Sequence, residues 1–325
     1  MIPLDCLPRM GRFSHRASEE RGPRDIFKWK VLDPLSGRAP KVPRTTFTPP
    51  RRPFDPELVR GPAPSLTWIG HATFLLTLGG KKVVTDPVLG PRLEGFVRRH
   101  GEAGIPPEAL PKVDVVLVSH NHYDHLDAWS LKRLGPEPTY VVPLGNAGLV
   151  HGAGAREVVE LDWWQSAQVA GLEITLVPSR HWSMRFPWNR NDMLWGGFVV
   201  RSPDGTAYHS GDTAFFDGFA EIGRRLGPID WAMLPIGAYD PRWFMGPQHM
   251  NPEEAVEAAV QLDARTMVAM HWGTFKLTDE PLAEPPVRAR AEWERRRLPA
   301  ERLWILDIGE SRALPEPARR LEAAR

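Results

Sequence analysis

Residues 119–127 read SHNHYDHLD, three histidines and two aspartates in one short stretch. So many polar, titratable groups together are costly to explain as packing. Imidazole nitrogens and carboxylate oxygens are the donors that zinc and its neighbours accept. One ion cannot comfortably take them all. His120 and His122, two apart in extended chain, can project towards one ion, while Asp124 and His125 reach towards a second. Further donors stand in matching places: His181 after EITLVPSR, Asp212 after TAYHSG and His271 after TMVAM. Taken singly, each reads as a hydrogen-bonded core or surface residue. Together, at the carboxyl ends of four expected strands, they describe a metal site on the rim of a sheet.

Those side chains need elements to hold them. VDVVLVS (113–119) is a short continuous apolar run, as expected of a strand buried on both faces. SLTWIGHATFLLTLGGKKVVTDP is expected to form two strands joined by a tight turn at Gly79-Gly80. Further strands are expected at TYVVP, REVVEL, QVAGLEITLVP, GGFVVRSP, TAYHSG, WAMLPI and TMVAMH, with LWILDIG closing the fold. Helices are expected near 128–134, over DGFAEIGRRLG and over NPEEAVEAAVQLDA. The last has Asn251 as N-cap, Pro252 at the first helical position and acids in its first turn. ARAEWERRRL (289–298) reads as a charged surface helix. Short strands in the first half and alternating strands and helices in the second predict two sheets covered by helices.

Composition sets the class. The chain has 325 residues, 42% hydrophobic and 25% charged, ordinary for a globular protein with a sizeable core. Its strongly apolar stretches are far shorter than a membrane-crossing helix requires. The opening MIPLDCLPRMGRF lacks the apolar run of a signal peptide. A single cysteine, Cys6, excludes an internal disulfide and a cysteine-rich zinc module. Residues 1–60 carry 13 Lys+Arg and 7 Asp+Glu, leaving 28 and 33 of the totals of 41 and 40 for the remainder. Residues 1–64 are rich in Pro and Arg with no sustained period and read as an extended arm, free or wrapped on the body and partly disordered, and 65–325 as one catalytic domain. A basic arm on a mildly acidic body could touch anionic lipid or nucleic acid, or be simply solvated.

The order H-x-H-x-D-H at 120–125, followed by separate His181, Asp212 and His271, resembles the metallo-β-lactamase superfamily over about residues 66–309. Within it, WIGHATFLL, SHNHYDHLD, SRHW, SGDT, LPIGAYDPRWFMGPQHMNPEEAV and HWGTF with EPP shortly after are similar to the N-acyl-phosphatidylethanolamine-hydrolysing phospholipase D group. The resemblance implies an α/β fold, an αβ/βα four-layer sandwich with two mixed β-sheets and a metal site at its edge. It implies two zinc ions per chain: His120, His122 and His181 on one, Asp124, His125 and His271 on the other, Asp212 bridging. The implied reaction is hydroxide attack on phosphorus, releasing phosphatidic acid and an N-acylethanolamine. Asp124, Asp212 and His249 are then the catalytic groups, His249 as substrate contact or proton donor. Gln248, His249, Trp243, Phe244 and Met245 are expected against the substrate, a phospholipid or other small phosphodiester. Nucleic acid is not expected as a partner, while peripheral membrane contact and a homodimer stay open; the expected location is cytoplasmic or peripheral at the membrane.

Other residues near the motifs have two readings each. His71 and His209 lie in strand text and read as structural groups or supports for the ligands before ligands themselves. Asp86 and Asp127 could orient a ligating histidine or start a turn. Trp182, Trp188, Trp195, Trp243 and Trp272 could line an acyl groove or fill the core, and Arg185, Arg190 and Arg242 could pair with phosphate or face solvent. The metal motif alone leaves a lactonase, a sugar-phosphate or cyclic-phosphate hydrolase or another phosphodiesterase open; the GAYDPRWFM block favours the phospholipase. A nuclease would carry a large inserted domain and a basic face, which residues 66–325 lack. An iron oxygenase on the same scaffold is distinguished by metal analysis.

Overall fold

A computed structural model describes residues 11–19, 21–37, 47–93 and 95–316, so Cys6 lies outside the described residues. Two seven-stranded mixed sheets face one another. The first contains β1 (Ser65–Gly70), β2 (Thr73–Leu78), β3 (Lys81–Thr85), β4 (Val115–Leu117), β5 (Thr139–Pro143) and β6 (Glu157–Leu161), in that spatial order. The second runs through β7 (Ser166–Val169), β8 (Leu172–Val177), β9 (Gly197–Ser202), β10 (Gly205–His209), β11 (Trp231–Pro235), β12 (Thr266–Met270) and β13 (Leu303–Trp304). A last strand, β14 (Ser311–Ala313), returns to the first sheet and pairs antiparallel with β1. Each sheet is antiparallel at its chain-early end and parallel from β3 to β6 and from β10 to β13.

The apolar run of β4 is explained by its two faces. Val115 and Leu117 point into the core between the sheets, whereas Val116 and Val118 belong to a second core under the helices. Those outer helices are α1 (Ala128–Leu134), which supplies Leu131, and α2 (Ala147–Gly152), which supplies Val150. On the other side α3 (Gly218–Leu226) and α4 (Pro252–Gln261) cover the second sheet, with α5 (Glu284–Arg295) packed on α4. Asn251 caps α4 as expected: its side chain accepts from Glu254 N at 2.8 Å, and Glu254 Oε2 accepts from Asn251 N at 2.9 Å. The expected sandwich with two mixed sheets is the fold observed.

Several expected boundaries differ. SLTWIGHATFLLTLGGKKVVTDP makes three strands, because His71, with φ of 56°, turns the chain between β1 and β2. QVAGLEITLVP splits at Ala170 and Gly171, both with positive φ, into β7 and β8. LWILDIG supplies only a two-residue strand, and the pairing that ends the fold comes from β14. The last helix begins at Glu284 and is more than a solvated surface element, since Ala289 and Trp293 are buried in the core. Nor is the N-terminal region simply extended: residues 23–35 are helical, Phe13 joins the main core, and Pro56–Arg60 is a helical turn with Val59 buried.

Candidate metal centre

All the donor side chains arise just beyond strand ends. Asp86 follows β3, His120 to His125 follow β4, His181 follows β8, Asp212 follows β10 and His271 follows β12. Strand ends of both sheets therefore open onto one rim. Gly211, with φ of 58°, lets the β10 loop come close enough: a Cβ there would lie 2.6 Å from Ser119 Cβ. At His271 the backbone turns to φ of 61°, and its N–H donates to the His71 carbonyl at 3.0 Å. This left-handed conformation costs a non-glycine residue about 1–2 kcal/mol, and it turns the ring away from the line of β12.

Hydrogen bonds at the back of the rings fix which nitrogens face inward. Asp86 is fully buried; its Oδ1 accepts from Ser119 N at 2.6 Å. Its Oδ2 accepts from Ser119 Oγ at 2.7 Å, His125 Nδ1 at 2.7 Å and His209 Nε2 at 2.9 Å. Because the Ser119 hydroxyl is donated to Asp86, it accepts from His120 Nδ1 at 2.9 Å. His181 Nδ1 donates to the Gln248 carbonyl at 3.0 Å. His120, His125 and His181 therefore each carry their proton at Nδ1 when neutral and turn an Nε2 lone pair inward.

The inward atoms form two adjoining groups. His122 Nδ1 lies 2.9 Å from His120 Nε2 and 3.2 Å from His181 Nε2. Nitrogens bound to one tetrahedral zinc at 2.0–2.1 Å would stand roughly 3.3 Å apart, so this trio fits a single ion. In the second group His271 Nε2 is 3.4 Å from Asp124 Oδ2, and His125 Nε2 is 3.7 Å from it. Asp212 sits between the groups. Its Oδ2 is 3.1 Å from His125 Nε2 and 3.9 Å from both His120 Nε2 and His181 Nε2, and its Oδ1 is 3.2 Å from His271 Nε2. His71 joins the second group, donating from Nε2 to Asp124 Oδ2 at 3.0 Å. His249 approaches from the outer side, its Nε2 3.9 Å from Asp212 Oδ2.

The protein alone leaves this cluster incomplete. His125 Nε2, His271 Nε2 and Asp212 Oδ1, all facing the cluster, are buried without a hydrogen-bond partner. Burial opposes ionisation of Asp212, yet His125, His271 and His249 hold its carboxyl well below the usual range. Burial would likewise lower His125 and His271, but Asp212 and Asp124 override it, holding His125 well above its ordinary value and His271 at about 9. The buried carboxylates thus recruit protons onto two imidazoles where a cation could stand. The donor set fits a metal.

Residues 81–272 match the family described as a beta-lactamase superfamily domain. The chain belongs to the metallo-β-lactamase superfamily. It is 43% identical over 239 residues to N-acyl-phosphatidylethanolamine-hydrolyzing phospholipase D 1 of Caenorhabditis elegans, covering 67% of this chain and 67% of that protein. It is 34% identical over 251 residues to a UPF0173 metal-dependent hydrolase of Methanopyrus kandleri, covering 76% of this chain and 98% of the relative. In fold it is similar to the crystal structure of a possible metal-dependent hydrolase from Veillonella parvula, with a TM-score of 0.63 at 18% identity over 78% of this chain and all of that one. This metallo-β-lactamase superfamily member is a metal-dependent hydrolase.

A cavity of about 560 Å³ opens onto the superfamily member's cluster and reaches His122, Asp124, Asp212, His249 and His271. Of the expected substrate contacts, Gln248, His249, Phe244 and Met245 line it. Trp243 stands behind them, edge-on to Phe244 at 5.6 Å. Trp182 lines the cavity, but Trp195 is core, its Nε1 donating to Ser179 O, Trp272 is stacked on Trp68, and Trp188 is largely exposed. The arginines are engaged elsewhere. Arg242 makes a two-point contact with Glu254 at 2.8 and 2.9 Å and donates to His249 O, Arg185 donates to Leu126 O, and Arg190 lies over the Trp182 ring. Asp127 caps α1, accepting from Ser130 N at 3.1 Å. Sequence reasoning missed Trp29, Leu93, Phe96, Val97 and Leu277, which also line the cavity and come from segments with no chemical motif.

Proposed function

We propose that the chain is a zinc-dependent phosphodiesterase of phospholipase D type, cleaving N-acyl-phosphatidylethanolamine to phosphatidic acid and N-acylethanolamine. The observation that carries this reading is the cavity: an apolar wall of Trp29, Leu93, Val97, Phe244, Met245 and Leu277 meets a polar floor of histidines and aspartates. A lipid with acyl chains and a central phosphodiester has the same division. The Caenorhabditis elegans relative, whose name states that activity, supports it.

His120, His122 and His181 would hold one zinc, and Asp124, His125 and His271 the other, with Asp212 shared. When bound, the pair supplies a water of lowered pKa and positive charge against the phosphoryl oxygens. Among the described residues no lysine or arginine lines the cavity, so the phosphate has no protein cation to pair with there. Polar side chains that are not proposed ligands, Gln248 and His249 among them, are left to touch it. Burial lowers the His249 imidazole to about 3, so at pH 7 it is neutral and acts through a hydrogen bond rather than as a cation. Its carbonyl is held by Arg242 Nη1 at 3.0 Å, which steadies the loop at the cavity edge. Asp86 and Ser119 keep the His120 and His125 lone pairs turned inward, and Gln248 O does so for His181. The apolar wall withdraws the reacting group from bulk water, and electrostatic stabilisation is stronger in such a water-excluded site.

The test is turnover of N-acyl-phosphatidylethanolamine beside a lactone and a phosphosugar, before and after chelation and with zinc restored. The reading expects phosphatidic acid and N-acylethanolamine from the first, lost on chelation and regained with zinc. A much faster lactone or phosphosugar reaction overturns it.

A further inference from the structure

Part of the cavity wall comes from outside the residues that match the family, 81–272. Trp29, in the helical stretch near the N-terminus, lines the cavity together with Leu277 and Thr278 from beyond β12. Trp29 is buried, although Ile26, Phe27 and Leu32 around it are exposed. Its ring packs against Phe244 with centroids 4.7 Å apart, in a cluster with Ala238 and Met245. Its Nε1 donates to Asp279 Oδ2 at 2.5 Å. Lys30 Nζ stands 3.4 Å over the same ring and 4.0 Å from Asp279 Oδ1. The wall behind is fastened as well: the buried Glu280 accepts from Ala238 N at 2.7 Å and Asp240 N at 3.2 Å. A large ring whose one polar atom is satisfied is a firm apolar surface, and this one faces the cavity.

We propose that Trp29 is a specificity-determining residue, closing the apolar end of the cavity and setting the length of acyl chain that fits. The proposal rests on the lipid reading above. Each methylene withdrawn from water between the metal centre and Trp29 is worth about fourfold in affinity. Methylenes that would pass the ring are turned out to water and add nothing. Alanine at position 29 uncovers the apolar surface of Ala238, Phe244 and Met245 on which the ring packs, so longer chains keep gaining.

The probe is a series of n-alkylphosphonates with chains from hexyl to tetradecyl, kept below their micelle concentrations. Their C–P bond resists hydrolysis, so binding to the zinc-loaded full chain, read by titration calorimetry, is independent of turnover. The wild type should gain about fourfold per methylene and then level off. Trp29→Ala should move that levelling to longer chains, raising the affinity ratio of the longest to the shortest by about tenfold or more, the value of two methylenes. Asp279→Ala frees the indole without opening the core and should shift the profile in the same direction, serving also if Trp29→Ala fails to fold. Superimposable profiles for wild type and a folded variant overturn the proposal. A shifted profile in a protein that does not cleave N-acyl-phosphatidylethanolamine keeps the wall and removes the substrate reading.

Discussion

Replacing Asp86 with asparagine tests how the site is held without touching a proposed ligand. Asp86 Oδ2 receives hydrogen bonds from Ser119 Oγ, His125 Nδ1 and His209 Nε2, and Oδ1 receives one from Ser119 N. An amide keeps one acceptor oxygen. If that oxygen stays on Ser119 N, the amide N–H groups face His125 Nδ1, which must then accept. Its proton moves to Nε2, the atom 3.1 Å from Asp212 Oδ2 that would bind the metal. A protonated nitrogen has no lone pair to give. Losing such a support costs about 10–100-fold in metal affinity, or roughly 1.4–2.8 kcal/mol. Two weakened hydrogen bonds to a buried charge cost about 3 kcal/mol of stability in addition. The assay is metal content by mass spectrometry after equilibration in graded zinc buffers, with circular dichroism to confirm folding. One zinc equivalent should need at least tenfold more free zinc for half-loading. Unchanged loading of both equivalents in a folded Asp86→Asn protein would refute the tautomer argument.

Asp212→Asn, at the shared position, should remove nearly all turnover while the fold persists; a rate near wild type would exclude Asp212 from the reaction. Metal binding to the chelated protein at pH 7 should release protons from His125 and His271, read calorimetrically in buffers of different ionisation enthalpy. His271 also links stability to pH. Its pKa in the metal-free protein is raised to about 9, so its contribution is full below about 6.5 and lost as pH rises through 9. The melting temperature of the metal-free protein should therefore fall between pH 7 and 9.5, and a rising one contradicts the assignment. Phe244→Ala should raise KM for a long-chain substrate several-fold with a smaller change in kcat; an equal fall in kcat with unchanged KM would place Phe244 outside the binding wall.

The sandwich and the donor set are legible in the sequence for one physical reason. A strand buried on both faces leaves an apolar run, and donors placed beyond such runs, as His120 lies beyond β4 and His271 beyond β12, share a rim. Other features leave no such mark. The left-handed turn at His71 breaks β1 from β2 inside text that alternates like one strand, because a tertiary contact, His271 N to His71 O, stabilises it. Asp86 reads equally as support for a ligating histidine or as an ordinary turn before proline, and only its partners in space, 33 to 123 residues away, decide for the first. The cavity wall joins Trp29, Leu93, Val97, Phe244 and Leu277 from remote segments with no common period.

Attack on phosphorus at the metal centre puts a water oxygen into the phosphate, so hydrolysis of N-acyl-phosphatidylethanolamine in ¹⁸O-labelled water shows which bond breaks. Mass spectrometry of the two products should find the label in the phosphate of phosphatidic acid and none in the N-acylethanolamine. Label in the N-acylethanolamine hydroxyl, or release of a free fatty acid instead of these products, would exclude attack on phosphorus.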